Sequence, residues 1–312
     1  MRVPLPAAIT TTFSAMRLSL TKAAIIGVLL TLLGGCGAFR LAYNNGSQLT
    51  WWWIDGYVDF SNEQSPRVKE AIDRWFDWHR STQLGDFALL LVTLQAQVVD
   101  NTTPGQVCRW QQQVRDLLEP GLERALQLAA EQVPGLGEAQ WRHVEQSFAK
   151  KNVEARRDFL QPRLEDRQKA AVKRALERAE SLYGSLDEPQ RKVIVAAVAA
   201  SPFDPVAWLA ERERRQRETL QMLRRLGGER ADRDRILAAL RALAERVETS
   251  PEPEYRSYQQ RLADYNCAVA AQVHNATTAA QRKQARDRLK GWEDDARSLM
   301  AVRNVPTAAA PQ

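Results

Sequence analysis

Ser65-Pro-Arg-Val-Lys-Glu-Ala-Ile-Asp-Arg-Trp-Phe-Asp-Trp-His-Arg-Ser-Thr82 is the stretch that decides the fold. Val68, Ala71, Ile72, Trp75 and His79 recur at spacings of three and four, which on a 3.6-residue period gathers them on one face. The spacing predicts an amphipathic helix over 65–82. The same period returns on both sides of every later break. Phe87, Leu90, Leu91, Leu94 and Val98 follow a short interruption near Gly85, and residues 104–133 continue with Val107, Val114, Leu117, Leu118, Leu122, Ala125 and Ala129, bent at Pro120. Trp141, Val144, Phe148 and Ala155 open a charged helix that stops at Pro162, and Leu164, Val172, Ala175, Leu176, Ala179 and Tyr183 resume it up to Gly184. Further helices are predicted at 188–200, 205–226, 231–248 and 253–302. The last carries Tyr255, Tyr258, Leu262, Tyr265 and Val269, then Leu289, Trp292 and Leu299. No alternating run of β-branched residues competes with this period. The expected class is all-α, a multi-helix bundle with long amphipathic helices.

The composition agrees. With 312 residues, 26% charged and 44% hydrophobic, and a mean hydropathy of -0.44, the chain is too polar for a polytopic membrane protein and too apolar for a disordered one. Gly and Pro contribute only 15 and 14 residues, which favours helices over strands.

Residues 17–36 read as an address. Arg17 and Lys22 supply a positive start, and Ala23 to Leu33 an apolar run too short for a bilayer core, which needs about 20 residues. Leu33-Gly34-Gly35-Cys36 then resembles the bacterial lipobox. That resemblance implies cleavage before Cys36, acylation of its sulfur and its new amino group, and attachment to the membrane through that residue. Gly37 stands where inner-membrane retention calls for Asp, so the outer membrane is the expected destination. Met16 would give a more compact leader than Met1. The expected organisation is a signal peptide over 1–35, a lipidated tether over 36–50, a helical periplasmic domain over 51–302 and a disordered tail over 303–312. Fully extended, the stretch from Cys36 to Trp51 would reach about 50 Å.

Losing residues 1–35 removes Arg2, Arg17 and Lys22 and no acid, so 41 Lys/Arg face 38 Asp/Glu and the net charge is +3. Nucleic acid is therefore not an expected partner. With Cys36 assigned to lipid, Cys108 and Cys267 remain. In an oxidising compartment the pair reads as a disulfide, the alternative being two buried thiols.

Four helix starts share one pattern: Phe60-Ser-Asn-Glu-Gln64, Thr102-Thr-Pro-Gly-Gln106, Leu136-Gly-Glu-Ala-Gln140 and Leu186-Asp-Glu-Pro-Gln190. Capping explains them, because a side-chain oxygen at the cap satisfies orphan N–H groups and Pro fits the first turn. The glutamines fall at irregular intervals, against a solenoid. The pattern also resembles the Leu-Thr-x-x-Gln elements of Spy-type periplasmic chaperones. Only Leu136/Gln140 and Leu186/Gln190 match the outer residues, and neither has the Thr.

Leu41-Ala-Tyr-Asn-Asn45, Trp51-Trp-Trp-Ile-Asp-Gly-Tyr-Val-Asp-Phe60, Glu63-Gln64 and Trp78-His-Arg80 resemble a family of uncharacterised proteobacterial lipoproteins, a domain of unknown function, mainly over residues 36–95. The resemblance implies an envelope lipoprotein and a helical fold, with no activity attached.

Catalytic signatures do not stand out. His79, His143 and His274 are the only histidines, none in a His-Glu-x-x-His or other metal-ligating array, and there is no phosphate loop or nucleophile elbow. No metal, cofactor or catalytic residue is expected. Asp55 and Asp59 would share a helix face, where two carboxylates could act as acid and base on an envelope polymer or bind a cation, the alternative being that they cap helices or pair with Arg67 and Arg74. Five of nine tryptophans lie between Trp51 and Trp78, and three in a row cover most of a helix's circumference. Trp51, Trp52, Trp53 and Tyr57 are therefore the candidate patch for a membrane or a partner, the alternative being a packed core. Lys150 to Arg178 holds ten Lys/Arg and five Asp/Glu, with Arg212 to Arg235 similarly dense. These runs read as solvated faces with i,i+4 pairs, or as a catcher of anionic lipid. The expected function is non-enzymatic: a lipid-anchored helical protein that binds an unknown envelope protein or polymer, as assembly factor or chaperone. A hydrolase and a small-ligand sensor are the alternatives.

Overall fold

The computed structural model describes residues 38–301. The signal peptide, Cys36 and the tail over 303–312 lie outside the described residues. Those described form helices α1 Ala38–Asn44, α2 Gly46–Val58, α3 Ser65–Thr82, α4 Leu84–Gln97, α5 Pro104–Gln132, α6 Glu138–Phe159, α7 Leu164–Tyr183, α8 Glu188–Ala199, α9 Pro205–Gly228, α10 Arg233–Glu248, α11 Pro253–Asn275 and α12 Ala279–Ala301. A 3-10 turn, Val133–Gly135, follows α5, and no strand occurs among the described residues. The protein is an all-α multi-helix bundle.

Two larger cores organise it. One gathers Leu91, Val98, Tyr183, Leu186, Ile194, Ala285 and Leu289 from α4, α7, α8, α12 and their flanks. The other gathers Ala130, Val133, Trp141, Leu226, Ala231, Ile236 and Leu237 where α5, α6, α9 and α10 meet. Links between helices of different apolar clusters are broken midway: α3 from α4 at Gln83, α6 from α7 over 160–163, α8 from α9 over 200–204, and α10 from α11 over 249–252. Only α5 runs through, Pro120 included. Its first half packs on α11 and its last on α10, while residues 112–116 and 118–120 between them are exposed.

At one of these midway breaks Glu211 is buried among Arg214, Arg215 and Ser250. Burial opposes ionisation, but hydrogen bonds from Arg214, Ser250 and Arg215 outweigh it and hold the carboxyl at about 2.

The helix starts obey the capping logic and add something to it. Asp187 accepts from Gln190 N (2.9 Å) while Gln190 Oε1 accepts from Asp187 N (3.0 Å). Thr278 and Gln281 repeat this reciprocal box at 3.2 and 2.8 Å. That fifth start, Thr277-Thr-Ala-Ala-Gln281, divides the helix expected over 253–302 into α11 and α12. Side-chain hydrogen bonds supply the competition. Asn275 turns its side chain to both backbone groups of Thr102 (2.8 and 2.9 Å), and Thr277 Oγ1 donates to the His274 carbonyl at 2.6 Å.

The two boxes clasp each other. Each amide, Gln190 and Gln281, donates to the other's oxygen at 2.8 and 2.9 Å. Each also donates to the carbonyl two residues before the partner's cap, Gln190 to Ala276 (2.9 Å) and Gln281 to Ser185 (2.8 Å). Both donor hydrogens and both lone pairs of each amide are thereby used. A looser version joins Ser61/Gln64 to Gly137/Gln140, where Gln64 Nε2 reaches the Gly135 carbonyl (2.5 Å) and the two amides touch. Because Gln190 is buried, Gln190→Ala is expected to cost about 2–3 kcal/mol by orphaning its partners. Combined with Gln281→Ala, the loss should fall short of the sum by about 1 kcal/mol. Urea unfolding of the two single variants and the double variant measures this, and strict additivity would show that the clasp carries no coupling.

Cys108 in α5 and Cys267 in α11 form the disulfide, with Cα atoms 5.5 Å apart. One helix interval on, the His274 side chain is buried. Its Nε2 lies 2.7 Å from the Asp100 carbonyl, which only accepts, so that nitrogen carries the proton; Nδ1 then accepts from the Tyr183 hydroxyl at 2.8 Å. Burial, with the Arg282 charge nearby, pulls the imidazole below its ordinary value, partly offset by the Asp100 bond. Unfolded chains therefore take up a proton near pH 6.5 that the folded protein refuses. Stability from His274 should be complete above that pH and decline as pH falls through it. Comparing the urea midpoint at pH 8 and pH 5.5 checks this: the wild type should lose more than His274→Gln, and equal losses would refute the assignment.

Candidate functional site

The surface loses its charged character at the start of the described chain. The i→i−4 ladder crosses the joint between α1 and α2, with Asn45 N to Leu41 O at 3.2 Å and Leu49 N to Asn45 O at 2.9 Å. The two helices thus present nearly continuous faces. The inner face is aromatic. Phe39 stacks on Phe87 with centroids 5.8 Å apart, and Tyr43 sets its edge on Phe76 at 5.5 Å. The Tyr43 hydroxyl pairs with His79 Nδ1 at 2.9 Å, and burial raises the phenol to about 12 and lowers the His79 imidazole. Trp51 sits against Val68, Ile72, Ile54, Phe60 and Phe76, with Lys69 Nζ 4.6 Å above its ring. Gly46 admits this approach, because a Cβ there would fall 2.4 Å from the Phe76 ring. Residues 38–50, expected as part of a tether, are mostly helical for this reason: α1 and the start of α2 have rings of α3 and α4 to pack on.

At its far end α2 stops where Asp59 adopts a left-handed φ of 59° and the Asp55 carboxylate accepts the Phe60 N–H at 3.1 Å. The carboxylates of Asp55 and Asp59 therefore do different things. Asp55 closes the helix, and Asp59 points outward, 3.9 Å from His143 Nδ1. They are not brought together as an acid pair, nor does either meet Arg67 or Arg74. Ser147 Oγ donates to the Gly56 carbonyl at 3.2 Å, docking α6 on α2.

The outer face is the candidate site. Every exposed residue from Leu41 to Gly56 is uncharged, and Leu41, Leu49, Trp52 and Trp53 are its large apolar members. The tryptophan run divides as three rings around a helix must: Trp51 is 8% exposed, Trp52 62% and Trp53 66%. Tyr57 is half-buried, its ring 5.3 Å from Trp53 and 6.1 Å from Phe148. Trp51 thus leaves the expected patch for the core, because α2 docks that side on α3. Leu41 and Leu49 join the patch instead. Their spacing to Trp53, four-residue steps through Asn45, was visible in the sequence.

Other candidates resolve into structure. A hollow of about 470 Å³ lies between the start of α3 and the turn after α5, lined by Phe60, Arg67, Val68, Arg74, Glu131 and Leu136 among others. Glu131 is engaged there by Arg74 at 3.0 Å. No cluster of three or more His, Cys, Asp or Glu side chains suited to a metal occurs among the described residues. The charged runs pair within and between helices, as Lys173–Glu177 (3.9 Å) and Arg224–Glu145 (2.9 Å) do. Among the described residues no helix is long and apolar enough to cross a membrane.

Comparison with known proteins adds one assignment. No curated protein and no solved structure matches the chain. Residues 56–256 match the model of a family of unknown function, DUF6279, a span from the last turn of α2 to the first of α11. The uncharged outer face lies almost wholly before that span, and its end divides the Gln190–Gln281 clasp, with Gln190 inside and Gln281 beyond. Because the match covers well over half of the sequence, the chain belongs to the DUF6279 family of unknown function.

Proposed function

We propose that the protein is a lipoprotein of the bacterial envelope, of the proteobacterial kind, anchored through Cys36 on the periplasmic side of the outer membrane. It works by contact rather than catalysis, binding an envelope protein or polymer as an assembly factor or chaperone-like holdase. The observation that carries the reading is Leu33-Gly-Gly-Cys36 behind a short apolar run, followed within two residues by a helical body. Several acyl chains hold a protein stably where one does not, at about 0.8 kcal/mol per buried CH₂. The engagement of Asp55 in closing α2 supports contact over hydrolysis through the Asp55/Asp59 pair. The Leu-x-x-x-Gln helix starts, similar to those of Spy-type chaperones, fit a holdase role.

Labelling with radioactive palmitate tests the anchor: incorporation is expected in the wild type and lost in Cys36→Ser. In-cell crosslinking of the lipidated protein with mass spectrometry tests the role. Recurrent envelope partners are expected; an unlabelled protein that keeps its leader and stays in the cytosol overturns the reading.

A further inference from the structure

We propose that the uncharged outer face of α1 and α2, carrying Leu41, Leu49, Trp52 and Trp53, lies in the headgroup layer of the membrane that holds Cys36. The inference rests on the lipid anchor of the preceding reading and adds the surface that meets the bilayer. Three observations converge on lipid rather than a protein partner.

The first is reach. Leu41 stands five steps along the chain from Cys36, at most about 18 Å of extended chain, so the face starts beside the boundary where acylated cysteine resides. The second is chemistry. In a chain with 26% charged residues, every exposed position from Leu41 to Gly56 is uncharged. Indoles are favoured at the membrane–water boundary, where the ring is shielded and its N–H stays wet. The third is size. The twelve steps along the chain from Leu41 to Trp53 give a strip about 18 Å long and one helix wide. A stable protein interface needs about 800 Å² from each side, with a polar rim. A strip already tethered to the bilayer needs far less, because attachment at Cys36 raises its effective concentration into the millimolar range. With this face down, α3 and α4 lie on the opposite side of α1 and α2, where Phe39, Tyr43 and Trp51 meet them.

The test uses the full lipidated chain in phosphatidylcholine vesicles whose acyl chains carry bromine, which quenches tryptophan at short range. Part of the emission of the nine tryptophans should be quenched. The Trp52→Ala/Trp53→Ala variant, which removes two exposed rings and leaves the core intact, should lose at least two thirds of that quenching. Trp292→Phe, on α12, should lose none. Quenching that survives in the double variant, or is absent from a wild type whose mass shows acyl groups at Cys36, overturns the proposal and leaves the anchor standing. A mature protein without acyl mass at Cys36 overturns the anchor and the proposal together. A photocrosslinker at position 53 that labels one protein in cells, instead of lipid, assigns the face to that partner and also overturns it.

Discussion

Reducing the Cys108–Cys267 bridge is expected to lower the thermal midpoint by about 10–20 °C. The two cysteines are 159 residues apart in sequence, and closing such a loop removes denatured-state entropy worth about 5 kcal/mol in the chain-entropy model. For a chain of this size each kcal/mol moves the midpoint by about 2–4 °C. Native packing around the bridge offers little compensation. The apolar cluster there holds only Val107, Cys267 and Ala271, with Cys108 and Trp110 at its edge. The bridge thus does for the α5–α11 contact what larger side chains do in the two main cores. Circular dichroism melts with and without reductant, repeated on Cys108→Ser/Cys267→Ser, measure the effect. A midpoint moving by less than about 3 °C in both would mean that the reduced chain keeps the same constraint by other means.

Trp51→Ala should be the next most damaging change, at about 3–5 kcal/mol. The indole is 8% exposed and forms the centre of a small cluster with Val68 and Ile72. It stacks on Phe60 at 5.7 Å, and Lys69 Nζ lies 4.6 Å from its centroid. Few neighbours remain to collapse into the void. Trp52→Ala and Trp53→Ala remove rings that are mostly in solvent and should each change stability by less than about 0.5 kcal/mol. The three consecutive positions therefore separate packing from surface contact within one turn of helix. Urea unfolding of the three variants decides it; comparable losses at all three would place the whole run inside a core.

Much of this was legible before any coordinates, and what was not has identifiable causes. The helix over 65–82 ends where the sequence pattern places its ends, because Pro66 fits its first turn and its apolar face has one period. The long stretch after Pro253 misled for the opposite reason. Residues 275–278 hold neither Pro nor Gly, so no breaker marks a stop there and the stretch reads as one helix. The Thr-x-x-Gln box that restarts the chain there is the same device found at earlier starts, differing only in having Thr277 where they mostly have a large apolar residue. Trp51 to Trp53 show a second limit. Composition reveals that three rings cannot all be buried, but which one turns inward depends on where α3 lies. The fold of residues 38–50 depends likewise on rings of Phe76 and Phe87, distant in sequence. Pairing of Gln190 with Gln281 was beyond any local reading, since each amide looks complete as a cap by itself.

The bare stretch of α5 has a consequence of its own. Helices ordinarily fray at their tips, whereas this one is pinned at both, by the disulfide near its start and by Leu128 and Ala130 near its end. Between them Pro120 withholds one amide hydrogen, and the turns just before it have few neighbours to resist opening. Deuterium uptake along α5 should therefore peak in the middle and fall towards either end. A protease attacking the folded protein would find its scissile bond at the centre of its longest helix, with both resulting halves still fastened to the body.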